Sequence, residues 1–283
     1  LKAAVEDSST LQNVINSRPN DTPFIIKLGN ISNLETVEIP EHKKIMLKAD
    51  TAVTLTCPQK RDDYKHLQVK EHASLTLKGP ITLQGTNYGR NSQYALYVET
   101  GGTAEIEDDV TITGFKNSWS NNGGAHAGKG PVFVDGTLTM TGGRIEKNTV
   151  DNLNSTFWSG GGVYVEGTFM MEGGTIGKNE GYEGGGVLVK RIFEMRGGKI
   201  TQNKSDKGKG VRVYNKFDWY GGEITKNTGY GDAVVNTGTY NNHTDPHRTQ
   251  AKRILLGGNR IKSILVRLPP CCAETDYEFI MRN

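Results

Sequence analysis

The chain is poor in cysteine. Three in 283 residues, Cys57, Cys271 and Cys272, cannot make a fully paired disulfide framework, and the vicinal pair lacks zinc-type spacing. They read as isolated thiols or one incidental disulfide. No apolar run is long enough to span a membrane. Neither sign of charge dominates: 34 Lys and Arg stand against 31 Asp and Glu, a net charge of +3. That leaves no global signature of polyanion binding. No phosphate loop or nucleic-acid motif is present, because the glycine-rich segments do not open helices. His243 and His247 have the spacing of a helix-borne metal pair, but Pro246 stands between them and no carboxylate motif accompanies them. Neither a metal site nor a cofactor is expected. Leu1 in place of methionine reads as removal of a preceding segment, a cleaved secretory signal being one reading of it.

Glycine, by contrast, is plentiful at 36 residues, and it is placed periodically. Gly142-Gly143-Arg144-Ile145-Glu146-Lys147-Asn148 returns at Gly173–Asn179, Gly197–Asn203 and Gly221–Asn227. Asn179, Asn203 and Asn227 are 24 residues apart, and Asn148 to Asn179 is one repeat plus a seven-residue insertion. A period of this length marks stacked supersecondary units. Aligned on that period, the segments form columns. Val132, Val163, Val187 and Val211 stand two residues before Val134, Val165, Val189 and Val213, so both sets face one side. The residue between them runs Phe133, Tyr164, Leu188, Arg212 and reads as solvent-facing. Further inward columns are Leu138, Phe169, Phe193, Phe217; then Met140, Met171, Met195, Trp219; then Ile145, Ile176, Ile200, Ile224.

Each unit has too little apolar surface to stand alone and must bury it against its neighbours. The glycine pairs suit corners that need φ > 0 or close approach. The asparagines read as structural, adopting the left-handed region and bonding the stacked amide above. Asn87 and Asn117, about one repeat upstream, suggest that the pattern starts earlier. Three short strands per turn without a helix predict an all-β fold, a single-stranded parallel β-helix of about eight coils, right-handed by the crossover preference of parallel strands. Residues 9–17 are predicted as a helix with Ser9 as N-cap and Gln12 completing a capping box, covering the open end of the stack. The expected organisation is a cap helix and linker over 1–22, the β-helix over 23–268, and a tail over 269–283.

Between Ile176 and Val187 the pattern becomes specific. Ile176-Gly177-Lys178-Asn179 followed by Gly184-Gly185-Gly186-Val187 resembles the paired tetrapeptides of chlamydial polymorphic outer-membrane proteins, F-x-x-N and G-G-A-[ILV]. Isoleucine stands for the phenylalanine and glycine for the alanine. Ile145–Asn148 with Gly160–Val163 resembles it again, and Ile200–Asn203 with Gly208–Val211 more loosely. The resemblance covers about a third of the chain. It implies a secreted or cell-surface, outer-membrane-associated bacterial β-helix, often an adhesin, and transfers no catalytic residue. The C-terminal membrane barrel of an autotransporter is not seen in this sequence.

The segments between each asparagine and the next strand vary: 88–94, 118–128, 149–159, 180–183, 204–207 and 228–231. A stack piles them along one edge. They carry Trp119, His126, Phe157, Trp158 and Tyr182, and aromatics on adjacent loops suit sugar stacking or an interface hot spot. Phe157 and Trp158 suit equally a lid folded onto the rod. Between Lys178 and Thr228 eleven Lys or Arg oppose six Asp or Glu, with Arg212 on an outward position. That mild basic face fits an anionic glycan or protein partner, or a solvated surface that discourages edge pairing. The candidate ligand-binding residues are therefore Trp119, His126, Phe157, Trp158, Tyr182 and Arg212.

The leading expectation is a non-catalytic, adhesin-like protein that binds glycan, matrix or a protein on a host or neighbouring cell. A structural subunit of a surface assembly is the first alternative. A polysaccharide lyase or hydrolase is the second, resting on fold analogy alone. For that chemistry the regular coils offer only the outward pair Glu194 and Asp218, which reads equally as a salt-bridge group beside Arg196 or Arg212.

Overall fold

The structure is a computed structural model that describes residues 4–58, 64–86, 93–118, 129–151, 160–230, 232 and 234–244. Apart from one helix it is built of short parallel strands. The chain visits its sheets in a fixed rotation, and each strand pairs with its counterpart one turn away. This is a parallel β-solenoid, as the column pattern requires. The valine segments form an eight-stranded sheet running from Val37–Ile39 to Val234–Asn236. The Phe/Met segments form a nine-stranded sheet from Pro23–Lys27 to Thr239–Asn242, and the isoleucine segments a seven-stranded sheet from Val53–Thr56 to Glu223–Thr225.

Register holds the sequence columns. Thr168–Met171 pairs with Ile192–Met195, and that strand pairs with Lys216–Trp219, placing Phe169, Phe193 and Phe217 directly in line. Their rings stack with centroids 5.0 and 4.7 Å apart. All three are fully buried, with Val163, Val187, Val211, Ile145, Ile176 and Ile200 around them in one continuous core. Each such side chain contributes about 1.5–3 kcal/mol of burial, and each ring pair adds about 0.5–1.5 kcal/mol.

Asn148, Asn179 and Asn203 are buried inside the stack, and Asn227 is half-buried. Asn179 donates its backbone N–H and its Nδ2 to Asn203 Oδ1 (3.0 and 3.1 Å) and also donates Nδ2 to the Ile145 carbonyl (2.8 Å). Asn203 repeats the pattern onto Asn227 and the Ile176 carbonyl. Two expectations are corrected here. The left-handed residue is the one before each asparagine: Lys147, Lys178, Gln202 and Lys226 have φ of 55–58°. Asn117 is outside the column, because it pairs with Val150, and the position facing Asn148 is held by Phe115, whose N–H donates to Asn148 Oδ1 (3.0 Å).

The glycine pairs divide the two roles expected of them. Gly198 has φ +80°, whereas a Cβ on Gly197 would run into the Glu172 carbonyl oxygen of the previous turn.

A fourth strand per turn was not foreseen. Lys116–Ser118, Thr149–Asp151, Glu180–Glu183, Lys204–Lys207 and Thr228–Gly229 form their own five-stranded sheet. Two of the segments read as corner loops, 180–183 and 204–207, are therefore strands. Their inward positions are Gly181 and Ser205, too small and polar to show the apolar alternation by which a strand is recognised.

The cap helix runs Ser8–Asn16 and buries Leu11 and Ile15 in the solenoid core. Its N-cap is Asp7, whose carboxylate accepts the Thr10 N–H (2.7 Å), and not Ser9. The Thr10 contacts hold the Asp7 pKa below its ordinary value. Gln12 closes no capping box. Its amide accepts the Glu38 N–H (2.8 Å) and donates to the Glu38 carbonyl (2.9 Å), standing in for the missing neighbour of the first valine-sheet strand. Gln12→Ala should lower stability by about 1–2 kcal/mol in urea unfolding, and an unchanged midpoint would mean that water serves this edge equally well.

Candidate functional site

The outward face of the valine sheet departs most from its sequence reading. Phe133, Tyr164 and Leu188 alternate with inward valines, yet they are only 1%, 2% and 0% exposed. With Tyr94 they form a second apolar cluster outside the solenoid core, against which Tyr97 and Tyr214 pack. The Tyr97 and Phe133 rings lie parallel at 4.8 Å, and Tyr164 meets Phe133 edge-on at 5.7 Å. Alternation assigns a residue to a face of the sheet; it does not decide whether that face meets water.

Cations are set into this aromatic face. Lys129 Nζ lies 3.9 Å from the Phe133 ring centroid and 4.9 Å from that of Tyr164, and it pairs with Glu166 at 3.1 Å. Burial pulls the Lys129 pKa down against the pull of Glu166, and burial raises that of the Tyr164 phenol. Further along the axis Lys190 Nζ lies 3.8 Å from the Tyr214 ring centroid. Burial lowers the Lys190 pKa to about 8, with Glu183 opposing. Glu183 is itself buried; it accepts the Tyr214 hydroxyl and pairs with Lys207 at 3.4 Å. Lys207 lies 4.8 Å from the Tyr182 ring, and the Arg212 guanidinium 5.0 Å from the Tyr214 ring.

Of the six candidate residues, Tyr182 and Arg212 are thus brought into one cluster through Lys207, Glu183 and Tyr214. Trp119, His126, Phe157 and Trp158 lie outside the described residues, as does the lid reading of Phe157 and Trp158. Sequence reasoning missed Lys190, Lys207, Glu183 and Tyr214. The repeat itself held the signal: Glu183 and Lys207, like Lys190 and Tyr214, are 24 residues apart, and the period stacks them.

Along this edge charged groups and ring faces alternate at close range. Cation–π contact strengthens as the cation loses water, and Tyr182, Arg212, Tyr214 and Lys190 are each only part-exposed. Elsewhere, Glu194 and Asp218 do stand side by side on the Phe/Met sheet. Each is matched by a cation of its own strand or the adjoining turn: Arg196 to Glu194 at 3.0 Å and Lys216 to Asp218 at 2.7 Å. This is the salt-bridge arrangement, with Lys216 in the place expected of Arg212. Among the described residues no group of three or more His, Cys, Asp or Glu side chains is arranged to hold a metal ion, and no helix is long and apolar enough to cross a membrane. No protein-family model, curated protein or solved structure matches this chain.

Proposed function

We propose that this chain is a non-catalytic, adhesin-like binding protein, secreted or held at a bacterial cell surface. Its body is a right-handed β-helix of about eight coils, a count suggested by the eight-stranded valine sheet and a hand favoured by the crossover rule. The ligand is a glycan, matrix component or protein on a host or neighbouring cell. The reading rests on one observation: Tyr182, Tyr214, Lys190, Lys207 and Arg212 gather on one lateral rim outside the core. A rigid solenoid holds such a rim in place without further ordering cost, which favours binding. The resemblance of the Ile-x-x-Asn and Gly-Gly-Gly-Val segments to surface β-helices points the same way.

A glycan array and a cell-adhesion assay test this. The Tyr182→Ala, Lys207→Ala double variant should bind at least tenfold more weakly, a loss of about 1.4 kcal/mol, with an unchanged circular-dichroism spectrum. Wild-type affinity in the double variant would remove the rim from the binding surface.

A further inference from the structure

Arg212 occupies a position where the preceding turns place apolar groups. In register it follows Leu188, which follows Tyr164 and Phe133, and those three are buried. A leucine here would continue the column. Instead a guanidinium stands there with its Nε buried and without a hydrogen-bond partner. A buried donor left unpaired is costly, more so on a charged group.

Among the described residues no carboxylate lies within ion-pair distance of Arg212. Glu183, which accepts the hydroxyl of the Tyr214 ring beside Arg212, is also engaged by Lys207. The glycines of the adjoining corner bring the chain close: a Cβ on Gly184 would lie 3.1 Å from the Arg212 backbone nitrogen, and one on Gly208 would lie 3.2 Å from the Arg212 Cβ. The guanidinium rests beside the Tyr214 ring, and the Lys190 ammonium lies over the same ring.

We infer that this corner is a subsite for the anionic group of an acidic sugar, a carboxylate or a sulfate ester. The planar guanidinium fork matches either anion through two parallel N–H···O bonds. With Nε closed off from the surface, the anion meets the outer edge of the part-exposed guanidinium, and Lys190 adds a second positive charge. Tyr182, with Lys207 over its ring, offers a face for the neighbouring sugar along the rim. This inference rests on the binding role proposed above and narrows its ligand to acidic glycans.

Isothermal titration calorimetry on the full chain tests it, with oligogalacturonate, a sulfated oligosaccharide and an uncharged oligosaccharide of equal length. At least one anionic probe should bind, more weakly as salt is raised, while the uncharged one does not; the better of the two identifies carboxylate or sulfate. Arg212→Leu should reduce that affinity at least tenfold, with a melting temperature no lower than wild type because leucine continues the column. Arg212→Lys should retain part of the affinity through its charge. Undiminished binding by Arg212→Leu overturns the subsite. Binding of uncharged glycans or of an acidic protein alone overturns the acidic-sugar inference but leaves the binding role standing. Absence of binding to these probes, together with failure on array and cells, overturns both.

Discussion

Asn203→Ala should lower the unfolding free energy by about 3–5 kcal/mol, and the melting temperature by roughly 10 °C in a chain of this size. Asn203 Oδ1 accepts both the Asn179 N–H and the Asn179 Nδ2, and its own Nδ2 serves the Ile176 carbonyl and Asn227. Truncation leaves the Asn179 N–H buried without this acceptor and also deprives the Ile176 carbonyl of its side-chain donor. Each orphaned group costs about 1–3 kcal/mol. Alanine brings no replacement, and the stacked backbone leaves little room for water. Urea unfolding followed by circular dichroism checks the figure. A loss below about 1 kcal/mol would show that the column is dispensable. Asn203→Asp keeps the acceptor but buries a carboxyl, so that variant should be more stable at acid pH than at neutral pH, the neutral form being the one burial favours.

The second large effect is acid lability centred on His66. The imidazole is fully buried, edge-on to Tyr64 (5.4 Å) and Phe115 (5.2 Å), and neither ring nitrogen makes a hydrogen bond. Burial depresses its pKa to about 3, with the nearby Leu55 backbone opposing. The folded-state value lies below the unfolded one of about 6.5. The stability tied to the neutral ring is therefore complete above about pH 6.5 and is lost as pH falls from there towards 3. At about 1.36 kcal/mol per unit, wild type should lose roughly 3 kcal/mol between pH 7 and pH 4 that His66→Leu does not lose. Leucine also removes two unpaired nitrogens, so the variant should be no less stable at neutral pH. Denaturation curves for both proteins at the two pH values provide the comparison. Equal losses would place the acid sensitivity elsewhere, for example on the carboxylates paired along the surface.

The two predictions concern buried polar groups whose legibility differed. The asparagine column could be read from the 24-residue spacing, because a polar residue fixed by the repeat must find its partner in the next turn. His66 falls in the irregular early turns, where no period marks its column, and its isolation shows only once Tyr64 and Phe115 close around it. Asn117 shows the opposite failure. Its distance from Asn148 matches the repeat plus insertion, yet Thr113 pairs with Glu146 and Lys116 with Thr149, so Phe115 takes the place opposite Asn148. Spacing counts residues, whereas register counts hydrogen bonds.

What the sequence determined by itself is the stack: parallel strands, inward columns of valine, phenylalanine, methionine and isoleucine, corner glycines and the asparagine ladder. A fixed period combined with strand alternation leaves few other ways to bury those side chains. The tertiary structure decided the rest. Gly181 and Ser205 became inward strand positions because backbone pairing with adjacent turns does not require an apolar side chain. Lys147, Lys178, Gln202 and Lys226 took the left-handed φ because the corner has to turn one residue before the asparagine points inward. The Phe133, Tyr164 and Leu188 face became buried, and Arg212 at its end became the odd polar group, because exposure depends on which side chains of neighbouring turns pack together over a face. A strand's own alternation carries no information about that.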